Sequence, residues 1–180
     1  IYYNVESNEK FSVLVHLLKE EKADLVMVFC STRRNSEFVA RNLERHKINA
    51  QAIHGGLSQG RRLEVLKNFH GKGVGVLVCT DVAARGLDIK GVSHVYNYDL
   101  PKTSEEYIHR IGRTARAGED GKVINLLSNR DHKNFGNILR DENILIEKEE
   151  LQRFQMVMIN ASSDDGRNKS RTGNFHRRSS

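Results

Sequence analysis

The chain has 180 residues, enough for one compact domain and a tail and too few for two independently folded domains. Hydrophobic residues make up 38%, and with 14 glycines the apolar share is that of a globular chain, so disorder along the full length is excluded. The longest apolar run, Leu25 to Cys30, is far short of the roughly 20 residues of a bilayer span, and the net charge is +6.

The chain opens at Ile1, without an initiator Met, on an extended-looking segment, and a piece of a longer protein is expected. No charged-then-apolar leader follows, so the expected setting is intracellular and cytoplasmic, with no membrane partner. Phe11, Leu14, Leu17 and Leu18 share one helical face. Leu25 to Cys30 reads as a buried strand; Phe38, Val39 and Leu43 mark a second helix; Ala50 to Ile53 is a strand; and Leu63, Leu66 and Phe69 mark a third helix. Strands follow at Val74 to Cys79 and Val92 to Tyr98, and Thr103 with Glu106 three residues on forms a capping box that opens a helix through Ile111. Val123 to Leu127 is the next strand, Asp131 starts a helix carrying Phe135, Ile138 and Leu139, Ile144 to Ile146 adds a short strand, and a helix from Glu147 to Met156 finishes the core. From Ala161 the apolar pattern stops. Five Lys or Arg against Asp164 and Asp165 make this stretch net +3, so a folded domain over 1–160 and a flexible basic tail over 161–180 are expected.

Strand, helix, strand repeated in this way predicts an α/β fold: a doubly wound, mostly parallel sheet with helices on both faces. Ligands of such sheets sit outside the carboxyl ends of the strands, so loops starting at Ser31, His54, Thr80 and Asp99 are expected on one rim. Cys30 and Cys79 each end a buried strand and read as reduced core thiols. The eight His show no zinc-ligand spacing, so no structural metal is expected.

The densest polar cluster runs from Tyr107 to Gly118 and holds His109 with Arg110, Arg113 and Arg116 at spacings of three. Arginine keeps its charge at any working pH and presents a planar fork of donors, which suits a transferring phosphoryl group. Thr80 to Asp88 follows a buried strand; there Gly86 permits close backbone approach, Asp88 is the candidate for ribose hydroxyls, and Asp81 is expected to cap the short helical turn after it. In His54 to Arg62, Ser58 is the expected N-cap of a helix on which Gln59 and Arg62 share a face, and Ser31 to Arg34 opens another helix. Together these loops form a basic, hydroxyl-rich track suited to a sugar-phosphate backbone. No G-x-x-x-x-G-K-[ST] and no acidic cluster for magnesium occur, so this chain does not cradle ATP alone.

With those residues in view, the chain resembles the C-terminal RecA-like domain of a DEAD-box ATP-dependent RNA helicase. Val28-Phe29-Cys30-Ser31-Thr32-Arg33 is similar to that family's motif IV, His54-Gly55 with Gln59 and Arg62 to motif IVa, Thr80 to Asp88 to motif V, and His109 to Arg116 to motif VI. The resemblance implies RNA-backbone contacts at Thr32, Arg33, Gly55, Gln59, Arg62 and Thr80, and nucleotide contacts at Gly86 and Asp88. It implies arginine fingers at Arg113 and Arg116 and interdomain coupling through Arg85, His109 and Arg110. It also implies ATP with Mg2+ held mainly by an N-terminal RecA-like domain of the same protein, an RNA partner that is single-stranded or locally unwound, and no activity in this piece alone. Two departures stand out: Gly56 where the family usually has Asp, and Ala115 where it usually has Gly. A DNA helicase domain of the same superfamily and a non-catalytic RNA-binding module are the alternative readings.

Overall fold

In the computed structural model the described residues are 1–21, 23–71, 73, 75–87, 89, 92–114 and 121–160. Strands and helices alternate as β1 (Tyr2–Asn4), α1 (Lys10–Glu20), β2 (Val26–Phe29), α2 (Arg33–Arg45), β3 (Ala50–Ile53) and α3 (Gln59–His70), then β4 (Val76–Cys79), α4 (Asp81–Ala84), β5 (His94–Asn97), α5 (Ser104–Ile111), β6 (Lys122–Leu127) and α6 (His132–Ile138). The sheet has six strands in the order β1-β6-β5-β2-β4-β3, and every neighbouring pair is parallel. The expected doubly wound sheet is therefore present. Its interior strands β2 and β4 are buried at every position, as strands covered on both faces must be.

Side chains alternate between faces along each strand, and the core divides accordingly. Val26, Val28, Cys30, Val76, Val78 and Tyr96 pack under Phe11 and Leu14 of α1 and Val39 and Leu43 of α2. Met27, Phe29, Leu77, Cys79 and Val95 pack on the other face with Val65 and Phe69 of α3. Leu100, Tyr107, Leu127 and Ile138 form a third cluster that seats α5 and α6. Each large apolar side chain removed from water in this way contributes about 1.5–3 kcal/mol. Cys30 and Cys79 belong to opposite faces and are free, and burial pushes both thiols up, so they are inert core thiols as expected.

Three expectations are corrected. Leu63 is 57% exposed, because it lies two residues, roughly 200° of helical turn, from the buried Val65 of α3. Ile144 to Ile146 forms no strand, and the segment from Glu147 to Met156 forms no helix. Its backbone groups are spent instead on the outer edge of β1: Tyr2 N–H donates to Glu147 O at 2.8 Å, and Glu149 N–H donates to Tyr2 O at 2.9 Å. An open sheet edge needs such a partner, and a helix there would leave β1 uncovered. The segment still completes the core, since Leu151, Phe154 and Val157 pack against the cluster under α1 and α2. The expected basic tail at 161–180 lies outside the described residues. No helix among the described residues is long and apolar enough to cross a membrane.

Candidate functional site

Because all strands are parallel and Phe29 stands level with both Cys79 and Asn97, and Ile53 level with Cys79, the chain leaves β2, β3, β4 and β5 at one height. Ser31, His54, Thr80 and Asp99 therefore share a rim. Asp99 ties two of its loops together: Oδ2 accepts from Ser31 N at 2.8 Å, from Ser31 Oγ at 3.1 Å and from Asn35 Nδ2 at 2.7 Å. The sequence marked Asp99 only as a loop start and gave no sign of this tie.

On the first loop Thr32 caps α2, its Oγ1 accepting from Asn35 N at 3.1 Å, and leaves Arg33 and Arg34 exposed on the first turn. On the second, Ser58 caps α3 by accepting from Arg61 N at 3.3 Å, as expected, and leaves Gln59 exposed. His54, 4% exposed, shapes the turn between them: Nδ1 accepts from Gly56 N at 3.1 Å, which leaves Nε2 to donate to Glu37 at 2.8 Å. The glycines make room for the guanidinium above. A Cβ on Gly55 would lie 3.3 Å from Arg33 Nη2, and one on Gly56 would lie 3.1 Å from His54 Nδ1. Arg62, on the second turn of α3, reaches across to α4, where Nη2 donates to Ala83 O at 2.6 Å.

Thr80 is the N-cap residue of α4 by backbone geometry, with no capping bond from its side chain. Asp81, expected to be the cap, is instead the first residue of the helix, and its carboxylate is spent on α5. Arg110 meets it with two bonds, Nε to Oδ1 at 2.7 Å and Nη2 to Oδ2 at 2.7 Å. The remaining fork of Arg110, Nη1, donates to Asn97 Oδ1 and to Asp99 O, both at 2.7 Å, and the group lies 4.8 Å from the Phe29 ring centroid. At 2% exposure Arg110 is thus a desolvated cation with a carboxylate, two neutral acceptors and a π face to replace water. Four of its five N–H groups are used in these bonds, with the fork pattern that only arginine offers.

Beyond α4 the chain turns at Gly86, whose φ of +73° is a conformation that side-chain-bearing residues rarely adopt. The turn is braced from motif VI: Arg113 Nη1 donates to Leu87 O at 2.8 Å and Ile89 O at 3.4 Å, and Nη2 donates to Ala84 O at 3.2 Å. Arg85 is exposed and only loosely held, 3.6 Å from Glu106. His109 is exposed beside it, and both line a narrow pocket with Asp81, Glu106, Arg110 and Arg113. An adjoining cleft of about 320 Å³ is lined by Ser31, Thr80, Val82, Arg85, Lys102 and Arg110 among others. Asp88 and Arg116, expected at the nucleotide, lie outside the described residues. No group of three metal-ligating side chains occurs among the described residues.

The arrangement offers fixed cations, capped helix starts and a glycine turn, which bind and orient anions. The one carboxylate facing the narrow pocket from α4, Asp81, is already committed to Arg110. Sequence comparison gives the same regions a wider context. The profile of the helicase conserved C-terminal domain family matches residues 9–118. The ATP-dependent RNA helicase CshA of Listeria monocytogenes is 47% identical over 130 residues, covering 72% of this chain and 25% of that protein. The DEAD-box ATP-dependent RNA helicase CshA of Geobacillus kaustophilus is 45% identical over 130 residues, covering 72% and 28%. This chain thus spans about a quarter of the length of the curated relatives it matches. Among solved structures, the E. coli DEAD-box protein SrmB, in complex with regulator of ribonuclease activity A, superposes with a TM-score of 0.76 at 41% identity, covering 84% of this chain and 88% of that one. The C-terminal domain of the DEAD-box protein Dbp5 gives a TM-score of 0.73 at 31% identity, covering 83% and 87%.

Proposed function

Because this chain belongs to the helicase conserved C-terminal domain family, as the C-terminal RecA-like domain of a DEAD-box ATP-dependent RNA helicase, we propose that it binds RNA backbone and completes an ATP site formed with an N-terminal P-loop domain. Thr32, Arg33, Gly55, Gln59, Arg62 and Thr80 carry the RNA side; Gly86, Asp88, Arg113 and Arg116 carry the nucleotide side; Arg85, His109 and Arg110 couple the two. The observation that carries this reading is that both sides meet on α4. Arg62 bonds to Ala83 from the RNA side, and Arg110 bonds to Asp81 and Arg113 to Ala84 from the other.

The residues present fit a nucleotide presented by another domain. Gly86 is exposed on a turn without a Cβ, and Arg113 stands at the base of that turn. Bound ATP with Mg2+ supplies the phosphoryl group to be transferred to water. On closure of the two domains, Arg113 exchanges its carbonyl partners for phosphate oxygens and offsets the negative charge that develops there. Arg110, buried and bonded to Asp81, Asn97 and Asp99, holds α4 while this exchange occurs. RNA held along the rim in a bent path is incompatible with regular duplex geometry, so closure displaces a paired strand and hydrolysis permits reopening. The isolated domain is expected to be inactive in hydrolysis, with weak, salt-sensitive and largely sequence-independent RNA binding. The basic segment 161–180 adds phosphate attraction, and the location is cytoplasmic.

Affinity for single-stranded RNA, measured on the full-length protein with and without a non-hydrolysable ATP analogue, tests the reading. The analogue should tighten binding roughly 5- to 150-fold, the span of ordinary coupling between sites. Equal affinity in both conditions contradicts it.

A further inference from the structure

Asn97, the last residue of β5, and Asn125, within β6, are completely buried and stand opposite each other in the ladder's own register. Asn97 Oδ1 accepts from Arg110 Nη1 at 2.7 Å, and Asn97 Nδ2 donates to Asn125 Oδ1 at 2.8 Å. Asn125 Nδ2 in turn donates to Ile1 O at 2.8 Å and lies 3.2 Å from Tyr107 Oη. Asn125 N also donates to Ile1 O, at 3.1 Å. One hydrogen-bonded chain therefore runs from the backbone beside β1, across two strands, to the cation that grips Asp81.

The direction of every bond in this chain is fixed by its ends. A guanidinium only donates, so the atom of Asn97 that faces Arg110 is the oxygen and its amide nitrogen must face Asn125. The atom of Asn125 facing back is then its oxygen, and its nitrogen must face Ile1 O, which only accepts. Two aliphatic side chains would fill the same space without the cost of desolvating two amides. Packing alone does not call for this pair, whereas aiming a buried fork does.

We infer that Asn97 and Asn125 are positioning residues for RNA-stimulated ATP turnover: they orient Arg110 on Asp81 and so hold α4, the element on which the RNA and nucleotide sides meet, in register with β1 and β6. This rests on the function proposed above. Neither residue touches RNA or nucleotide; both act through Arg110.

The test is a double-mutant cycle in the full-length protein, reading RNA-stimulated hydrolysis and, separately, exchange of the Arg110 Nε proton in protein carrying isotope-labelled arginine. Losing a hydrogen bond to a charged group predicts that Asn97→Ala lowers kcat roughly 10- to 100-fold with little change in the KM for ATP. Asn125→Ala should lower kcat less, because Asn97 still faces Arg110. In an Arg110→Lys background Asn97→Ala should cause no further loss, and Asn97→Thr, whose hydroxyl both accepts and donates, should recover part of the activity. Faster Arg110 Nε exchange in Asn97→Ala supports the assignment. Losses that multiply independently of Arg110, or unchanged kcat with unchanged exchange, overturn it. Wild-type protein without RNA-stimulated hydrolysis contradicts the proposed function, and the positioning of Arg110 is then decided by the exchange rate alone. A variant that does not fold is replaced by Asn97→Thr, read by the same exchange measurement.

Discussion

Asp81 and Arg110, 29 residues apart in sequence, form a two-bond ion pair at 2.7 Å in which the arginine is almost wholly buried and the carboxylate is a quarter exposed. The burial is lopsided, and so are the consequences of breaking it. Asp81→Ala strands a desolvated cation and should cost about 3–5 kcal/mol. Arg110→Met leaves behind a carboxylate that water reaches and two neutral acceptors, Asn97 Oδ1 and Asp99 O, but no buried charge, and should cost less. Denaturant unfolding of the two variants checks the order, and a larger loss in Arg110→Met contradicts it.

Arg113 holds carbonyl oxygens of the Gly86 turn in this structure, while the proposed mechanism assigns it to phosphate. Arg113→Ala in the full-length protein should therefore lower the turnover number by roughly 10³ or more, in keeping with arginine fingers. Arg113→Lys should not restore it, because an ammonium lacks the fork. Steady-state kinetics with saturating RNA measure both, and turnover within threefold of wild type removes Arg113 from the hydrolysis step.

Arg33 lies exposed over Gly55, and Arg62 is tied to α4 by one of its donors. Each, if it neutralises one phosphate, contributes about 0.7 to the slope of log affinity against log salt for single-stranded RNA. Arg33→Ala should lower the slope by that amount and do little else. Arg62→Ala should lower the slope and also weaken the response of RNA affinity to nucleotide. A salt titration of the full-length variants separates the two, and an unchanged slope for Arg33→Ala takes it off the RNA path.

Lys10 and Asp131 form a second buried pair, Nζ to Oδ2 at 2.7 Å, far from the rim arginines in sequence but beneath the same loop, since Lys10 Nζ also donates to Tyr98 O at 2.7 Å. Burial by itself raises the Asp131 carboxyl, but the Lys10 ammonium and the N–H and O–H of Ser128 outweigh it and hold the group below its ordinary 3.8. A depressed carboxylate contributes stability that is complete above the ordinary value and is lost as the pH falls from there through the lower folded-state value. Asp131→Asn should therefore be destabilised at pH 7 by about 3–5 kcal/mol, and the gap to wild type should narrow as the pH falls below 3.8. Unfolding curves across pH check this; a gap that does not narrow below that value contradicts it.

The strands and most helices were legible because buried parallel strands leave uninterrupted apolar runs and crossover helices leave a stripe. The rim was legible for the same reason: every strand's end marks a loop. What was not legible was long-range pairing. Nothing near Asp81 in sequence distinguishes a helix cap from a carboxylate reserved for Arg110, and nothing near Asn97 or Asn125 marks them as partners. The segment from Glu147 to Met156 carries a helix-like pattern, and only the open edge of β1 decides its conformation. Local periodicity records which face is buried; it does not record which polar group a distant element will claim.

ATP hydrolysis by the full-length protein without nucleic acid, with single-stranded RNA and with DNA of matched sequence decides whether this domain completes an RNA-dependent ATP site. RNA alone should stimulate turnover, and Arg113→Ala should abolish the stimulation. Equal stimulation by DNA, or RNA binding with no hydrolysis under any condition, contradicts that role.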